Sequence, residues 1–132
     1  MQLSEIGDAI VEALPELSAD LENYHADWAP DEPGAYNISC DVLFPALERW
    51  LESFTSIDQL HRAFDLLERM AHDPDQEVHF WVNDVVTWLI QNDTWVAAAA
   101  PFLGERFIWL INQHQSEIAE FKSNRRWWQF WK

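Results

Sequence analysis

Apolar residues recur three and four positions apart in segment after segment of this chain, and only three glycines break the pattern. Leu3, Ile6, Ile10 and Leu14 share one side of a first helix to about Leu14, with Ser4 as its cap. Pro15 suits the first turn of a second, short helix to about Tyr24, which buries Leu17 and Leu21. Residues 25–40, with Pro30, Pro33 and Gly34, read as a long loop. Asp41 is placed to cap the next helix, where Pro45 falls in the first turn and Leu43, Leu47, Trp50, Leu51 and Phe54 form the buried stripe. Ser56 with Gln59 reads as a capping box for a helix to about His72, burying Ile57, Leu60, Phe64, Leu67 and Ala71. Asp73-Pro74-Asp75 stops that helix and starts another. Its Val78, Trp81, Val82, Val85 and Leu89 fit a period of 3.6 better than the alternation of a strand. Residues 94–100 form a short helix, and Pro101 opens the last, which aligns Leu103, Phe107, Leu110, Ile111, His114, Ile118 and Phe121 before Ser123-Asn124 closes it. Neither Asn-Gly nor Asp-Gly occurs to turn a hairpin. The expected fold is all-α, a single orthogonal bundle of about six helices over residues 1–124, followed by a tail at 125–132.

Charge is as unevenly distributed as apolarity is regular. The first cationic side chain is Arg49, and eleven carboxylates precede it. Residues 1–121 carry all 23 acids and four bases, a formal −19, while residues 122–132 carry +4, together the −15 of the chain. An apolar content of 48 % supplies a core despite that charge. The charge repels phosphates, which excludes nonspecific binding to nucleic acid or anionic membranes and favours basic partners. The longest apolar stretch, residues 95–103, is too short to span a bilayer, so no stable membrane insertion is expected. Cys40 is the only cysteine and allows no internal disulfide; with no signal-like N-terminus, the expected location is cytoplasmic.

No catalytic constellation emerges. A carboxylate pair doing acid–base work needs two different environments, and almost every acid here falls on a polar face or in a loop. The histidines, His25, His61, His72, His79 and His114, never stand four apart on one helix as a zinc site requires, and His114 reads as a core histidine. Asp41 beside Cys40 opposes a reactive thiolate. There is no Gly-rich phosphate loop and no Gly-x-Ser-x-Gly elbow. No enzymatic activity, cofactor or metal is expected.

Binding is the better reading. Trp28 and Tyr36 stand in the 25–41 segment as candidate anchors, with Asp27, Asp31, Glu32 and Asp41 as a charged rim suited to a basic partner. The plainer alternative is that Trp28 plugs the loop onto the bundle. Of the nine tryptophans, Trp50, Trp81 and Trp109 lie on or beside core stripes and read as structural. The tail, Arg125-Arg126-Trp127-Trp128-Gln129-Phe130-Trp131-Lys132, is basic and aromatic. It is expected to meet the acidic body, in the same chain or across a homodimer. Membrane interface, single-stranded nucleic acid and the target partner are the other readings.

Several features together form a pattern: Pro15-Glu16-Leu17; Val42-Leu43-Phe44 leading to Leu47, Trp50 and Leu51; Phe64, Leu67 and Met70; Asp73-Pro74-Asp75 before Val78, Val82 and Val85; and Phe102-Leu103-Gly104. Over about residues 14–112 the chain resembles a family of small acidic helical bacterial proteins of uncharacterised domain type. Members are encoded beside polymorphic toxins delivered between cells and are regarded as immunity proteins. The resemblance implies stoichiometric binding of a cognate toxin domain, occluding its active site or substrate cleft. It supplies no binding residues and does not explain the tail. A non-inhibitory acidic adaptor or effector chaperone would use the same surface.

Overall fold

The computed structural model describes residues 1–53 and 55–116; Phe54 and residues 117–132, and with them Ile118, Phe121 and the basic tail, lie outside the described residues. Every regular element among the described residues is helical, so the fold is all-α. A 3₁₀ turn at Leu3–Glu5 leads into α1 (Ile6–Ala13), and a second at Pro15–Leu17 leads into α2 (Ser18–Trp28). Next comes α3 (Ala35–Ile38), which runs through a π-helical turn (Ser39–Leu43) into α4 (Phe44–Leu51). Then follow α5 (Ile57–Ala71), α6 (Gln76–Leu89), α7 (Asp93–Ala99) and, after a 3₁₀ turn at Ala100–Phe102, α8 (residues 105–116).

The core forms around α5, whose Leu60, Ala63, Phe64, Leu66, Leu67, Met70 and Ala71 are all buried. That one helix packs against α1, α4 and α6, so its apolar face, wider than a single stripe, is shared among three neighbours. Leu47 and Trp81 are fully buried, as their stripes require. Phe64 meets Phe107 of α8 edge to face at 5.8 Å. Phe44, Trp88 and Trp95 stack in series, 4.6 Å and 4.9 Å between ring centroids, and tie α4, α6 and α7 together.

Several local expectations are corrected. The 25–40 loop is mostly helix: α2 continues to Trp28 and α3 begins at Ala35, leaving only 29–34 irregular. Asp41 does not cap a helix but lies inside the π-helical turn, where Phe44 N–H donates to Ser39 O. Proline's ring crowds the carbonyl four residues back and offers it no N–H. Widening the helix just ahead of Pro45 lets the run from 35 to 51 continue without a break. Ser56 is the N-cap of α5, yet its side chain makes no capping hydrogen bond, and Ile57 is 56 % exposed rather than buried. Trp109 is 47 % exposed, with the Arg106 guanidinium 4.3 Å over its ring; it covers surface rather than filling core. Pro101 falls in the 3₁₀ turn, and α8 starts only after Gly104.

The junction between α1 and α2 is held by one cation. Arg62 forks onto Glu16 at 2.6 and 2.7 Å, donates to Asp58, and also donates to the C-terminal carbonyl of Ala13. Those bonds hold the Glu16 carboxyl below its ordinary value of 4.5. A carboxylate with a depressed folded-state pKa adds stability above its unfolded pKa and loses it as pH falls through the folded one. Glu16→Gln should therefore melt below wild type at pH 6, and the gap should close as pH drops below about 4.5. Melting curves of both proteins across that range check the sign; a gap that widens in acid would refute the pairing.

Candidate functional site

Helix α2 presents its polar side to solvent: apart from Leu21, nothing in it is buried. At its C-terminal end the rings of Tyr24 and Trp28, four residues apart, lie 6.1 Å from each other at 60°. Trp28 is 37 % exposed. The Tyr24 hydroxyl reaches across to the π-helical turn and donates a hydrogen bond to Asp41 Oδ2. Burial, and then the hydrogen bond to Asp41, push the tyrosine hydroxyl above its ordinary value, so it stays protonated and available as donor. The π-turn has a structural consequence here, because it places Asp41 opposite α2 instead of at a helix start. Between the two elements lies a cleft of about 420 Å³ lined by Asp20, Asn23, Tyr24, Asp27, Asp41, Val42, Pro45 and Arg49. Three carboxylates, one guanidinium and an exposed indole at the edge make this an aromatic-centred anionic face.

A second depression lies between α1, α2, the 29–34 segment and the start of α6. It is an open groove of about 1410 Å³. Leu3, Val11, Leu21, Ala35 and Ile38 contribute its apolar floor; Asp8, Glu12, Glu22, Glu32, Asp75 and Glu77 contribute its walls. Asp75 is partly committed, since its carboxylate accepts from the N–H groups of Glu77 and Val78 as the cap of α6. No lysine or arginine stands among the described lining residues.

The six residues singled out from sequence therefore do not form one site. Asp27, Trp28 and Asp41 gather around Tyr24, a residue expected only to end a short helix. Glu32 belongs to the groove. Asp31 is exposed on the intervening segment and lines neither depression. Tyr36, 42 % exposed, faces α6, where burial and the nearby Asp84 and Glu77 charges raise its hydroxyl pKa. The i, i+4 spacing of Tyr24 and Trp28 was the available signal for the real pairing, given a helix that continues past Tyr24.

The Cys40 thiol is raised by burial and by the Asp84 and Asp41 carboxylates, which disfavours a nucleophilic thiolate. Among the described residues no group of three or more His, Cys, Asp or Glu side chains could hold a metal ion. No helix among them is long and apolar enough to cross a membrane. No protein-family model, curated protein or solved structure matches this chain.

Proposed function

We propose that the protein is an immunity protein that binds a basic toxin domain through the Tyr24–Trp28 face and blocks its active site or substrate cleft. The observation carrying this reading is the exposed indole of Trp28 packed on Tyr24, which in turn lines a cleft with Asp20, Asp27 and Asp41. An aromatic anchor whose partner ring is already fixed loses little side-chain freedom on binding, and the carboxylates around it accelerate capture of a cationic surface. Toxins acting on nucleic acids or nucleotides need positive charge in their clefts, and a carboxylate-rich face competes for that charge.

Growth rescue on co-expression with the toxin domain of a neighbouring gene tests the activity, and binding kinetics test the face. Trp28→Ala should raise the dissociation rate by about tenfold or more with little change in association. Asp20→Lys with Asp27→Lys should instead slow association and flatten its dependence on salt. If the wild-type chain rescues no growth against any neighbouring toxin, the immunity reading is wrong. If rescue survives all three substitutions, the interface lies on another face.

A further inference from the structure

The groove beside α1 is left over by this reading, and so is the most basic stretch of the sequence. We infer that the groove receives the chain's own C-terminal segment, residues 122–132, with its aromatic rings on the apolar floor and its basic groups against Glu12, Glu22 and Glu32. The inference does not rest on the toxin reading, which uses a different surface.

Complementarity is the first argument. The groove wall carries six carboxylates and, among the described residues, no lysine or arginine. Residues 122–132 carry four cationic side chains and four aromatic ones and not a single acid. Glu12, Glu22 and Glu32 are exposed and make no side-chain ion pair within the described residues, so nothing there need be broken to admit a cation. Size is the second argument. At about 1410 Å³ the groove exceeds the roughly 300–1,000 Å³ of a small-molecule pocket, and its open form suits an extended polypeptide carrying large rings. Tethering is the third. The five residues that link α8 to the segment, 117–121, span at most about 18 Å. A tethered segment acts at an effective concentration near ~1 mM, so even a weak contact is populated.

Only two lysines occur in the chain, Lys122 and Lys132, both in this segment. A water-soluble carbodiimide joins amines to carboxylates, so every lysine cross-link it makes in the full-length protein reports where the segment lies. Peptide mass mapping should place the links on Glu12, Glu22 and Glu32, and their yield should fall about fivefold or more near ~0.5 M salt, where screening is short-ranged. Trypsin provides a readout that does not depend on the target carboxylates: Glu12→Gln/Glu22→Gln/Glu32→Gln should speed cleavage after Arg125 and Arg126 by about tenfold. A charge-matched control, Glu48→Gln/Asp65→Asn/Asp93→Asn, should leave that rate unchanged. Links spread over Glu48, Asp65 and Asp93 would overturn the inference, as would equal acceleration in both triple variants. Links found chiefly between chains in an isotopically mixed sample would assign the groove to a second copy and overturn it too.

Discussion

Replacing Trp81 with alanine should cost about 3–5 kcal/mol. The indole is fully buried, and its Nε1–H donates to the carbonyl of Ala35 at 3.2 Å, tying α6 to the start of the 35–51 helical run. Alanine would remove the largest fully buried side chain among the described residues, leave a cavity between those elements and orphan a backbone acceptor. Trp81→Phe should fall between the two, keeping most of the packing and losing the hydrogen bond. For a domain of 132 residues, total stability is on the order of 5–15 kcal/mol, so the alanine variant should sit close to unfolding at ambient temperature. Guanidinium unfolding with a common slope for all three proteins measures it. If Trp81→Ala unfolds within about 0.5 kcal/mol of wild type, the packing of α6 on α3 described above is wrong.

The helical core was readable for the same reason that Trp81 matters. Residues such as Leu47, Leu67, Val82 and Leu89 recur at a spacing that only a helix places on one face, and all four are buried. Asp75, expected to start α6, does so with a short side chain that accepts from the first free N–H groups, and Asn92 caps α7 in the same way although the sequence offered it no such role. What failed was wherever local chemistry and tertiary contact disagree. The stretch Glu22 to Asp27 carries no apolar stripe, yet α2 runs through it, and the chain turns only at 29–34. Residues 35–43 have turn-like composition, with Asn37 and Ser39 in them. They are held helical by Asn37 Oδ1 accepting from Gly34 N–H, by Ser39 Oγ donating to Ala35 O, and by the Trp81 bond from 46 residues away. That last contact cannot be read from a local window. The groove was illegible for a similar reason, because it joins residues 2–38 to residues 75–77. The Tyr24–Asp41 contact depends on a π-turn whose only sequence trace is Pro45.

Gly104→Ala should cost about 1–3 kcal/mol in the wild-type chain and close to nothing when Glu68 is already alanine. No glycine here has a positive φ, so Gly104 is not needed for its backbone freedom. It is needed for space. The Glu68 carboxylate of α5 lies over it and accepts from the backbone N–H groups of Arg106 at 2.8 Å and Phe107 at 2.9 Å, capping α8 from a different helix. A Cβ at position 104 would overlap Glu68 Cγ, Cδ and Oε2. The side chain can swing away, but only by releasing both N–H groups, so the methyl group and the loss of the carboxylate are one lesion reached by two routes. Glu68→Ala alone should cost about 2–3 kcal/mol, since two hydrogen bonds to a charged acceptor are lost at the end of a helix whose Phe107 is buried. With the carboxylate gone, the added methyl meets no obstacle. Its small penalty at an N-cap is offset by the restriction it places on the unfolded chain. Unfolding the wild type, both single variants and the double variant closes the cycle. Costs that simply add would show that Gly104 and Glu68 act separately, and that α8 is held by Phe107 and Ile111 packing on α5 and its neighbours without the cross-helix cap.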